Sequence, residues 1–103
     1  MIKQKWILKK ILPNNLSVST TDDGHTYDPV CKIQDTLDEL YNNRVIFEKP
    51  SRKILLLDEW FQVVYIDKIK FHIVSQFGTT SFISHDCNGI KYIKEIELKL
   101  NCN

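Results

Sequence analysis

The chain has 103 residues, 43% hydrophobic and 26% charged, with 14 Lys and Arg against 13 Asp and Glu for a formal net charge of +1. That length suits a single globular domain over residues 1–103, with a core sufficient to fold without metal or disulfides. The even charge balance argues against a surface built throughout for nucleic acid, and no stretch approaches the ~18 apolar residues that cross a bilayer.

Residues 3–12 show no helical period. Ile2, Trp6, Ile7, Leu8, Ile11 and Leu12 scatter around a helical wheel, which favours a strand. Pro13-Asn14-Asn15 is a turn signal. Leu16-Ser17-Val18-Ser19-Thr20 then alternates and is β-prone, as the returning strand of a hairpin would be. A polar loop containing Asp22-Asp23-Gly24 follows.

At Asp28-Pro29 an N-cap residue precedes the residue favoured at the first helical position. Val30, Ile33, Leu37, Leu40 and Tyr41 fall on one stripe at helical spacing, and Lys32, Asp35, Asp38, Glu39 and Asn42 fall opposite. Asn42-Asn43 offers a stop. The spacing predicts an amphipathic helix over about 29–42.

The remainder reads as β. Strands over 44–49 and 53–57 flank Pro50-Ser51-Arg52 as a hairpin turn, and Trp60 to Ile66 forms another. Ile69, Phe71 and Ile73 alternate with Lys70 and His72, the pattern of a half-buried strand. Phe77-Gly78-Thr79 punctuates. Thr80 to Ser84 and Ile90 to Leu100 flank Asn88-Gly89, the favoured dipeptide of a type I′ hairpin. In that last segment Ile96, Leu98 and Leu100 alternate with Glu95, Glu97 and Lys99, although Ile90, Ile93, Glu97 and Leu100 also fit a helix. The expected fold is α+β: an antiparallel β meander or small barrel with one amphipathic helix packed on it.

Ile54-Leu55-Leu56-Leu57 and Val63-Val64-Tyr65-Ile66 are continuous apolar runs rather than alternating ones. Such strands want burial on both faces, and one short helix covers only part of one. Closure of a barrel, the N-terminal hairpin or another chain must cover the rest.

No set of residues carries a recognisable chemistry. His25, Cys31, His85 and Cys87 supply the residue types of a zinc site, but their spacing matches no common ligand pattern, and no metal or other cofactor is expected. Cys87 with His85 or His25 has the composition of a thiol–imidazole pair without any surrounding catalytic motif. Asp22, Asp23 and Asp28 lack the glycine and the final glutamate of a calcium loop. Three cysteines, Cys31, Cys87 and Cys102, with no CxxC spacing fit reduced thiols and a cytoplasmic location. Lys9 and Lys10 break the first apolar run before it reaches the length of a signal-peptide core. The chain has no alanine and only two arginines, and is rich in Ile, Lys and Asn, which are residues with AT-rich codons. This composition suits an AT-biased genome, such as that of a bacterial accessory element or a phage.

These features favour a non-enzymatic interaction protein, a small regulator or inhibitor that binds another protein or a second copy of itself. The surfaces expected to serve are the β-face near Trp60 and Phe61, since large aromatics anchor interfaces, and the acidic helix face of Asp35, Asp38 and Glu39. A small nucleic-acid-binding barrel is the alternative. It would use Lys3, Lys5, Lys9 and Lys10 around Trp6, and Lys49, Arg52 and Lys53 around the Pro50 turn. A small-ligand-binding protein or enzyme ranks third, and no membrane role is expected.

Overall fold

The expected N-terminal hairpin forms in the computed structural model, which describes residues 6–12, 15–21, 27–49, 51–53, 59–76 and 79–102. Strand β1 (Ile7–Leu12) pairs antiparallel with β2 (Asn15–Thr21), placing Leu8 opposite Val18 and Lys10 opposite Leu16. The free side of β1 carries exposed Lys9 and Lys10, charges that discourage unwanted edge pairing.

Helix α1 (Tyr27–Tyr41) buries Val30, Ile33, Leu37 and Tyr41, as the spacing predicts. It begins two residues before Pro29, so Asp28 lies within its first turn. A short 3-10 turn, Asn42–Arg44, ends it, with Asn42 at φ 44°, a left-handed conformation that asparagine tolerates.

Strands β3 (Val45–Phe47) and β4 (Ser51–Lys53) correct the expected Pro50-Ser51-Arg52 hairpin. They do not pair with each other. Both pair with β5 (Glu59–Ile66), β3 opposite residues 64–66 and β4 opposite residues 59–61, so they run end to end along one strand. Pro50 falls between them in sequence, and a residue without an N–H suits an interruption in an edge strand. The apolar run 54–57 lies outside the described residues.

The type I′ geometry expected at Asn88-Gly89 occurs elsewhere. Asp67 (φ 51°) and Lys68 (φ 71°) form the two-residue link between β5 and β6 (Ile69–Gln76). Neither is a glycine, and the left-handed region is costly for both. The turn is held from outside: Arg44 Nε donates to Asp67 Oδ1 at 2.8 Å, Arg44 Nη2 bonds Asp67 Oδ2, and Tyr92 Oη donates to the same Oδ2 at 2.6 Å.

Strand β7 (Thr79–Ser84) pairs with β6 and, across the chain, with β2. The final segment is a helix, not the expected strand. The Asp86 carboxylate accepts from Asn88 N at 2.9 Å and caps a 3-10 turn, Cys87–Gly89, that leads into α2 (Ile90–Leu100). Tyr92, Ile93, Ile96 and Leu100 are buried at helical spacing, whereas Leu98 is 69% exposed, which no half-buried strand would allow. Gly89 is required for close approach: a Cβ there would lie 2.9 Å from the Phe71 ring and collide with Ser84 Oγ.

The sheet runs in the order β1-β2-β7-β6-β5-β3, with β4 also on β5, and every pairing is antiparallel. The α+β class therefore holds, with two helices instead of one. No pairing joins β1 to β3 among the described residues, so the path is open. The strands' inward residues Val18, Val64, Ile66, Phe71, Ile73 and Phe82 share one core with the buried stripes of α1 and α2. Phe71 and Phe82 stack at 5.1 Å, and Tyr92 meets Phe71 edge-on at 5.9 Å. Buried Gln62 is satisfied by donation to Glu48 O at 2.7 Å and by accepting from Gln34 Nε2 at 3.0 Å.

Candidate docking face

Strand alternation puts every second residue on the side of the sheet away from the helices. The registers align these positions across strands: Phe61 with Val74, Val63 with His72, His72 with Ile83, and Tyr65 with Lys70 and Ile46. Among the described residues no helix covers this side. Phe61 is 38% exposed, Ile46 63% and Ile7, at the far edge, 54%. Val63, Tyr65, Val74 and Ile83 are half-buried between them. On the same side Ser19 Oγ and Ser81 Oγ share a hydrogen bond at 2.7 Å, which satisfies two hydroxyls without drawing charge onto the face. The run Val63-Val64-Tyr65-Ile66 is thus apolar on both sides. Val64 and Ile66 enter the core, while Val63 and Tyr65 belong to the open face.

The five residues expected to serve in binding fall on three surfaces. Phe61 sits on the open face. Trp60, its neighbour in sequence, points the other way and is half-buried against the core. Asp35, Asp38 and Glu39 are exposed on the outer side of α1, in the helix layer behind the sheet, and Glu39 Oε1 lies 3.0 Å from Lys99 Nζ of α2. The open face and the acidic face therefore belong to opposite sides of the molecule. Trp6, the aromatic expected to stack bases among N-terminal lysines, is only 3% exposed and unavailable for stacking. Lys3 and Lys5 lie outside the described residues.

A residue absent from the sequence-derived set joins the face. His72 lies against the Phe61 ring, with centroids 4.6 Å apart and planes 34° from parallel. His85, just beyond β7, meets it nearly perpendicularly, with centroids 4.2 Å apart, and His72 Nδ1 faces His85 Nε2 in direct contact. Burial, the neighbouring His85 and then Lys70 push the His72 imidazole down to about 4, so the ring is neutral at physiological pH. The only sequence signal for His72 was its outward place beside Ile73. Its meeting with His85 follows from the β6–β7 register, which no local pattern reveals.

The other constellations have structural roles or do not assemble. His85 turns to His72, and Asp86 caps the turn before α2. Cys31, Cys87 and Cys102 are free and exposed, and His25 lies outside the described residues. No group of three or more His, Cys, Asp or Glu comes together among the described residues. Arg44, Asp67 and Tyr92 brace the β5–β6 turn, and Tyr41 Oη donates to Glu95 Oε1 at 2.5 Å, tying α1 to α2. Arg44, followed by Tyr92, holds the Asp67 carboxyl well below the usual carboxylate range. No described helix is long and apolar enough to cross a membrane. Comparison with protein families, with characterised proteins and with solved structures found no match to this chain.

Proposed function

We propose that this protein is a non-enzymatic interaction module, a small regulator or inhibitor, that binds another protein through the open face of its sheet. The observation that carries this reading is Phe61, a large aromatic left 38% exposed amid half-buried Val63, Val74 and Ile83 while both helices pack on the other side. Exposed apolar patches rimmed by polar residues often mark binding sites, and here the apolar residues sit beside Ser19, Ser81, Lys9 and Lys70. An apolar centre with hydroxyls and single charges around it has the anatomy of a protein interface. By register Lys9, Lys53 and Lys70 are the described lysine positions on that side, one each on β1, β4 and β6, too few and too scattered to follow a phosphate backbone, and Trp6 is buried. A protein partner therefore suits the face better than nucleic acid.

The test compares wild type with Phe61→Asp, using immobilised protein and cross-linking in an extract of the source cell. A partner that cross-links to β5 or β6 and is lost with Phe61→Asp while the variant remains folded by circular dichroism is the expected result. Equal capture by both proteins overturns the reading. So does exclusive assembly into homo-oligomers in native mass measurement, or salt-sensitive retention of DNA or RNA without a protein partner.

A further inference from the structure

We propose that His72 and His85 form a two-imidazole site for a divalent transition-metal ion of the class that prefers nitrogen donors: copper, nickel or zinc. The site goes beyond the docking function and stands whether or not the face binds a protein.

The argument starts from the fold. β6 and β7 pair with His72 opposite Ile83, and His85 is two residues further on, so both side chains lie on one side of the sheet as diagonal neighbours. His72 presents Nδ1 and His85 presents Nε2, each toward the other. A neutral imidazole has one N–H and one lone pair. Two facing nitrogens can therefore share one proton or one metal ion. No other described residue hydrogen-bonds either ring, and no carboxylate fixes a tautomer there. Phe61 packs on the His72 ring, while His85 is exposed.

The donor set determines the class of ion. Imidazole nitrogens suit copper, nickel and zinc, whereas magnesium and calcium take oxygen ligands, and among the described residues no carboxylate groups with the two rings. Bonds of ~2.0–2.1 Å to each ring nitrogen require the two nitrogens to part from their direct contact, and the exposed His85 ring is the one placed to turn away. Two protein ligands leave positions on the ion open toward solvent, on the side where Phe61 is exposed. Those positions take water, or a donor from whatever docks there.

The test uses the full chain with Cys31, Cys87 and Cys102 changed to serine, which removes competing thiols. Zinc chloride is added while the histidine ring resonances are followed by NMR, and copper and nickel chlorides are titrated by calorimetry. Expected is one ion per chain, with the His72 and His85 ring signals moving together. Both His72→Gln and His85→Gln should weaken binding by at least the ~10-fold that loss of an outer-shell partner costs a metal site. His25→Gln serves as the control and should bind as wild type does. The proposal is overturned if zinc leaves the two ring signals unmoved, or if either His→Gln variant binds as tightly as wild type while still folded by circular dichroism.

Discussion

Trp6 and Asn101 are 95 residues apart and joined at two points: Trp6 N donates to Asn101 Oδ1 and Asn101 Nδ2 donates to Trp6 O, each at 3.0 Å. One side-chain amide thus mimics a strand partner and fastens the start of β1 to the end of α2. Asn101→Ala leaves both backbone groups without that partner. It should cost about 1–3 kcal/mol and lower the melting temperature by several degrees. Asn101→Asp keeps the acceptor but sets a carboxylate against Trp6 O and Glu97 Oε2, both of which Asn101 Nδ2 reaches, and should be no more stable than Asn101→Ala. Thermal denaturation of the three proteins checks the order.

Adjacent aromatics should behave oppositely. Trp60 packs on the core and Phe61 on the open face. Trp60→Ala should lose about 2 kcal/mol of stability, short of the ~3–5 kcal/mol of a fully buried tryptophan. Phe61→Ala should cost less, about 1 kcal/mol from its contact with His72 and its strand propensity, and weaken partner binding. A Phe61 variant as unstable as the Trp60 variant would mean that the open face is structurally covered.

Gly89→Ala tests the close approach before α2. The added methyl must displace the Phe71 ring and Ser84 Oγ, both packed at the centre of the fold. A loss of about 1–3 kcal/mol is expected from overpacking, although alanine ordinarily favours a helical turn. Chemical denaturation of the variant decides the sign.

Stability should fall on acidification in two separable windows. His72 has a folded pKa of about 4 against 6.5 unfolded, so between those values the unfolded chain binds the extra proton. The contribution is intact above pH 6.5 and lost as pH falls through about 4. Burial is the main cause of the shift, and repulsion from His85 and Lys70 deepens it. Asp67, depressed by Arg44 and Tyr92, adds a second loss that begins only as pH falls below the ordinary 3.8 of its carboxyl. Denaturant midpoints measured from pH 8 to 3 should show the upper slope vanish in His72→Gln and the lower one persist.

The parts of this fold visible in the sequence are those set by a single element's own face. The stripe of α1 and the alternation of β6 are such patterns, because burial on one side repeats at the element's own period. What escaped depends on contacts between elements. Asp67-Lys68 lacks a glycine, so its left-handed turn owes its place to Arg44 and Tyr92, distant in sequence. Asn88-Gly89 carries a hairpin signal, yet the Asp86 cap and the crowding of Gly89 by Phe71 turn it into a helix entry. Ile96, Leu98 and Leu100 fit either period, and only the exposure of Leu98 separates them. Of the residues on the open face, Phe61 was legible as an aromatic at a strand start. Which of Phe61 and Trp60 faces outward depends on sheet register, and so does the meeting of His72 with His85.

The pairing of β2 with β7 also has a consequence for synthesis. Ser19 and Ser81, which bond across those strands, are separated by 62 positions, an interval of roughly 3–12 s at the ~5–20 residues per second of translation. Until then the N-terminal hairpin has no neighbour on its inner side, and β2 offers a bare edge to any passing strand. Assembly must therefore wait for the last third of the chain, and a ribosome stalled before β7 would hold an open hairpin and an α1 without its floor. Such nascent chains should depend on chaperones far more than the finished protein does.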